Sequence, residues 1–238
     1  MRHILLLSIL LLTPICANAQ FDFESDTTNE SSNKPLHEDL LGRPNFDSLE
    51  FEMRFWSTSA WYDGGTFLKL NFDKLSNWHY ARGFVYEDSL VWSNQNCDFV
   101  DIESLWEKLL DLDVLTLPKM HQSEFTIITD KCTYHLDHEQ IDRFIGTDAS
   151  SYSIELYSKN KYRYYYYFNS QSLWEVMQKA QKHWWYTPDL INFIKITQTL
   201  RDTFYLNDIH SEFAAYVRNK RSLVNATTKK RKKRRKKN

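Results

Sequence analysis

Alternation of period two from residue 152, answered by an aromatic run that ends at residue 168, constrains this chain more than any other feature. Tyr152, Ile154 and Leu156 alternate with Ser153, Glu155 and Tyr157, and after Lys159-Asn160 the aromatic run Tyr162 to Phe168 returns. Side chains two apart share one face of a strand, so the pattern predicts an antiparallel hairpin. Alternate tyrosines must then point to opposite sides, and about half of the run is expected in the core.

Similar alternation marks other strands. Phe51, Met53 and Phe55 predict one, Asp63-Gly64-Gly65 the reversal after it, and Phe67, Leu68, Leu70 and Phe72 the returning strand. A further pair is expected over Tyr80 to Tyr86 and Ser89 to Trp92, with shorter extended pieces at Phe125 to Ile128 and Cys132 to Leu136. From Asp101 the period becomes helical, with Ile102, Leu105, Leu109 and Leu112 on one side. Thr187, Pro188 and Asp189 form a helix start, followed by Leu190, Phe193, Ile194, Thr197, Leu200 and Phe204 on one face, and a last helical piece spans Ile209 to Val217. Strands punctuated by two or three amphipathic helices, without regular alternation, predict an α+β fold. We expect a mostly antiparallel sheet covered on one face by those helices.

The ends read differently. Residues 1–19 look like a signal peptide: Met1-Arg2-His3, an apolar run from Ile4 to Leu12, and Ala17-Asn18-Ala19 before Gln20. Thr13-Pro14 interrupts the run, which is too short to span a membrane. The localisation expected is secreted or periplasmic. A lipoprotein acylated at Cys16 is the less favoured alternative, because bulky Ile15 precedes that cysteine. Residues 20–47 are polar and are expected to form a disordered leader, with one domain over 48–218 and a disordered basic tail over 219–238.

Charge is unevenly placed. The formal net charge is −1, yet Lys229, Lys230, Arg231, Lys232, Lys233, Arg234, Arg235, Lys236 and Lys237 are all basic. In an exported protein such a tail suits an anionic lipid or polysaccharide, and no nucleic acid partner is expected. A solvated terminus lying loosely on the acidic body is the alternative. Cys97 and Cys132 are the candidate disulfide, with two buried thiols as the other reading. The sequons Asn29-Glu30-Ser31 and Asn225-Ala226-Thr227 matter only in a host that glycosylates asparagine.

Chemistry-bearing motifs are sparse. His135 and His138, with His121, are weak zinc candidates that lack the HExxH arrangement, so no metal is expected. No G-x-S-x-G elbow, papain-like cysteine context or phosphate loop is present, and neither a catalytic residue nor a cofactor is assigned. Aromatic residues are abundant instead. Tyr164, Tyr166, Trp184 and Trp185 are the candidate binding residues, since exposed aromatics grouped together mark ligand or protein interaction sites. The expected function is a non-catalytic envelope protein that binds a protein or glycan. The alternative is an envelope hydrolase whose catalytic groups are dispersed in sequence.

The end of the leader at Ala17-Asn18-Ala19, the helix Leu105 to Leu112, and the block Tyr152-Ser-Ile-Glu-Leu running into Tyr162-Arg-Tyr together form a familiar combination. It resembles the small, uncharacterised secreted proteins common in Bacteroidetes-type bacteria. The resemblance covers about residues 100 to 205, implies export through the inner membrane of a Gram-negative cell, and carries no activity or site residue.

Overall fold

Long segments of period-two alternation build the main element of the fold. A computed structural model of the chain describes residues 21–25, 38–59, 64–94, 100–118, 126–128, 133–135, 150–167 and 188–235. Strands β1 (Leu49–Ser59), β2 (Gly64–Asp73), β3 (Trp78–Tyr86), β4 (Ser89–Trp92), β7 (Ser150–Ser158) and β8 (Lys161–Tyr167) form one antiparallel sheet. Its order is β4-β3-β2-β1-β7-β8, and β5 (Thr126–Ile128) pairs separately with β6 (Thr133–His135). Among the described residues the helices are α1 (Glu38–Leu41), α2 (Ile102–Leu110), α3 (Pro188–Thr203) and α4 (Leu206–Arg235). This is the α+β fold that the patterning predicts, with helices packed on the sheet.

One sheet face is apolar because the odd positions of β1 and their neighbours are. Phe51, Met53 and Phe55 share that face with Leu68, Leu70, Ile154, Leu156 and Tyr165, all fully buried. Over it lie Leu105, Trp106 and Leu109 of α2, the α3 row predicted from sequence, and Ile209, Phe213 and Val217 of α4. Asp101 caps α2, its carboxylate accepting from the Ser104 amide at 3.1 Å. Two buried arginines on this face tie sheet to loops: Arg163 donates to the Leu117 carbonyl at 2.7 Å, and Arg82 to the Phe204 carbonyl. Each donates to a carbonyl beyond the end of a helix or turn, where backbone acceptors have no partner within the helix.

The structure corrects the reading of both ends. Phe21 and Phe23 lie in the leader expected to be disordered, yet both are buried in the main core. Phe21 stacks on Phe51 with ring centroids 4.5 Å apart and also touches Trp106. Asp22 pairs with Lys161, and the Ser25 hydroxyl and the Tyr162 amide are 3.3 Å apart. The average polarity of residues 20–47 hid two phenylalanines at strand spacing, which supply the apolar area that holds residues 21–25 on the core. At the other end, α4 continues through Arg235 rather than stopping near Val217, so residues 229–235 of the basic run have helical backbone. Arg218 to Ser222 are exposed. Straight-chain Lys and Arg are good helix formers, and cations near a C-terminus complement the helix dipole.

Candidate binding face of the sheet

The even positions of β1 point to the second face of the sheet, and they are Glu52, Arg54 and Trp56. Strand pairing extends each into a row. Tyr164, Glu155, Arg54 and Lys69 lie abreast across β8, β7, β1 and β2; Tyr162, Tyr157, Glu52 and Asn71 form the next row. On the other side Tyr166, Ser153, Trp56, Phe67, Gly83 and Trp92 run the full width of the sheet. Gly83 has a reason to be glycine here: a Cβ would meet the Val91 carbonyl and come within 3.1 Å of the Phe67 ring. Its absence lets Phe67 and Trp92 meet edge-on at 5.2 Å.

Two buried carboxylates organise this face. Glu155 accepts from Trp56 Nε1 at 2.8 Å, from the Tyr157 hydroxyl at 3.0 Å and from the Tyr162 hydroxyl at 3.2 Å. Glu52 accepts from Arg54 Nε at 2.6 Å, and Lys69 Nζ stands 3.9 Å from its other oxygen. With its amide nitrogen turned toward Glu52, Asn71 adds a donor at 2.9 Å. Burying a carboxylate is tolerable only with such a set of donors.

Arg54 is 1 % exposed, covers the Tyr157 ring at 4.7 Å, and donates through Nη2 to the Gly42 carbonyl at 2.5 Å. Burial opposes its charge, but Glu52 above all, with Tyr157 and Glu155, outweighs that and holds the guanidinium above its ordinary range. Its Nη1 is buried and has no hydrogen-bond partner among the described residues.

The exposed part of the face lies at its two edges. On β8, Tyr164 and Tyr166 have nearly parallel rings, 17° apart in plane and 6.5 Å between centroids. Tyr166 is 36 % exposed and its hydroxyl bonds the Ser151 hydroxyl at 3.2 Å. On β4, Trp92 is 43 % exposed, with Lys69 Nζ 5.7 Å from its ring. The alternation argument thus sorts the tyrosine run as expected: Tyr165 and Tyr167 are inside, Tyr164 and Tyr166 on the outer face.

Other sequence-derived candidates fall elsewhere. His135 lies on β6, whereas His121, His138, Cys97, Cys132, Trp184 and Trp185 lie outside the described residues, as do Cys16, Lys236 and Lys237. Among the described residues no group of three His, Cys, Asp or Glu side chains is placed to hold a metal ion, and no helix is long and apolar enough to cross a membrane. Reading the sequence for motifs missed Glu52, Arg54 and Glu155. The signal was available, because charged residues inside strands rich in Phe, Met and Ile must be paired on the opposite face.

No protein-family model, no curated protein and no solved structure matches this chain.

Proposed function

We propose that the chain is an exported, non-catalytic binding domain of the cell envelope that holds a protein or glycan against the outer face of β8. The observation that carries this reading is the Tyr164 and Tyr166 pair, two nearly parallel rings side by side on an edge strand with Tyr166 substantially exposed. Rings of this kind offer a large contact area with few rotatable bonds, and their hydroxyls can still hydrogen-bond at a wet surface. Behind them Glu155 fixes the strand pair through Tyr157 and Tyr162, so the platform is rigid before a ligand arrives. A hydrolase would use a carboxylate that can exchange its proton with a substrate. Glu52 and Glu155 are instead committed to Arg54, Trp56 and two tyrosine hydroxyls. Export is supported by the leader pattern of residues 1–19.

The test is binding of purified protein to an isolated cell-envelope fraction, separated into sacculi and membrane proteins. Tyr164→Ala/Tyr166→Ala should weaken binding at least about tenfold, in line with loss of two aromatic anchors. Equal binding by the wild type and the double variant would reject the assignment of this surface.

The basic run of α4 supports a second contact. We infer that residues 229–237 attach the domain to an anionic lipid surface or polysaccharide, because an acid-free stretch follows Glu212 to the end of the chain. Retention on anionic vesicles should vanish in high salt and on deletion of residues 229–238. Retention unchanged by both would remove this attachment from the proposal.

A further inference from the structure

A second, smaller apolar cluster lies on the polar face of the sheet. Trp56, Phe67 and Val85 form its buried floor, Leu90 stands at its side, and Leu40 and Leu41 of α1 rest on top. The next residue, Gly42, offers its carbonyl to Arg54 Nη2 at 2.5 Å. Three consecutive residues of the chain thus lie across the sheet as a short peptide would, two apolar side chains followed by a main-chain oxygen on an arginine.

The fit between this segment and Arg54 is incomplete. Arg54 Nε is taken by Glu52 at 2.6 Å, which leaves the end of the guanidinium, Nη1 and Nη2, as a fork. A carbonyl fills one prong, and Nη1 remains buried with no partner among the described residues. A carboxylate in the same place would take both prongs in parallel, the arrangement to which a guanidinium is best matched. Buried unpartnered donors are uncommon and call for a cause.

We propose that this groove is a receptor site for the free C-terminus of a peptide ending in two apolar residues and a small one, and that Leu40 to Gly42 occupies it in cis. The apolar side chains of the ligand lie on Trp56 and Phe67, and its terminal carboxylate bridges Nη1 and Nη2 of Arg54. The cis segment is held lightly. Its helix is four residues long, its two leucines are half-buried, and Gly42 has a left-handed backbone with φ 68°. Segments with few buried contacts open at little free-energy cost, which leaves the floor open to competition. Arg54 and Trp56 stand two strands from Tyr164 and Tyr166 on the same face, with β7 between them, and neither proposal depends on the other.

The experiment uses the full chain and two probes, acetyl-Leu-Leu-Gly with a free carboxylate and the same peptide as its C-terminal amide, titrated by calorimetry. Leu40→Ser/Leu41→Ser frees the groove without touching its floor. We expect this variant to bind the acid peptide at least tenfold more tightly than the wild type does, and at least tenfold more tightly than it binds the amide. Adding Arg54→Gln should abolish the preference for the acid. Equal affinity for acid and amide, or no binding of either probe to the folded variant, overturns the proposal. Should the double variant fail to fold, Gly42→Ala answers the same question by the same criteria. A Cβ there meets nothing within 4 Å, so only the left-handed backbone of the cis segment is disfavoured.

Discussion

Trp56 and Glu155, ninety-nine residues apart in sequence, are joined by a 2.8 Å hydrogen bond from the indole nitrogen to a fully buried carboxylate. The bond links β1 to β7 on the polar face, beside the pairing of Trp56 with Ser153. Trp56→Phe keeps most of the ring and removes the donor. We expect a loss of about 1–3 kcal/mol, the range for leaving a buried polar group short of a partner. Chemical denaturation of the two proteins measures it, and an unchanged midpoint would show that the bond is dispensable.

Removing Phe21 and Phe23 tests whether the N-terminal segment completes the core. Phe21→Ala/Phe23→Ala should lower stability by roughly 3–5 kcal/mol or more, since each ring leaves a cavity beside Phe51 and Trp106. The readout is the thermal midpoint of the double variant. A fall of less than a few degrees would mean that the segment rests on a core already closed.

Gly83 sits where β3 and β4 approach each other beneath the Phe67 and Trp92 contact. Gly83→Ala introduces a methyl group against backbone. The expected destabilisation is about 1–3 kcal/mol, typical of overpacking. A change in tryptophan emission that is absent in a Trp92→Phe background would report the displaced edge strand, and an unperturbed spectrum with full stability would contradict the tight packing.

Asp73 governs an acid transition. Its hydrogen bond with His79, together with the amides of Asn77 and Leu75, lowers its pKa to about 2 from 3.8. A carboxyl with a depressed folded-state pKa binds protons more readily in the unfolded chain. Its contribution to stability is therefore complete above about pH 4 and is lost as pH falls toward 2. Asp73→Asn should flatten the stability profile in that window. Identical profiles for the two proteins would show that the turn does not depend on this charge.

The strand content of the fold was legible because Phe51, Met53 and Phe55, and later Tyr152, Ile154 and Leu156, carry the period of the sheet directly. The α3 face was legible for the same reason, and every residue named for it is buried. Phe21 and Phe23 were hidden because two apolar residues in a polar stretch give no window-wide signal, and their value lies in the distant Phe51 and Trp106 that they meet. The site was half legible. Alternation alone placed Tyr164 and Tyr166 outside, but the union of Glu52, Arg54 and Glu155 depends on β1 lying between β2 and β7, a pairing that local sequence does not encode.

The charged rows on the second face also settle which way each strand is slotted into its neighbours. If β1 slid by one position against β2 and β7, Glu52 and Arg54 would be driven among the phenylalanines while Met53 and Phe55 emerged beside Tyr157. Stranding two ions in oil is far more unfavourable than losing a few apolar contacts. Misaligned versions of the sheet are thereby excluded, and the salt-linked residues act as an alignment key during assembly as well as a surface afterwards.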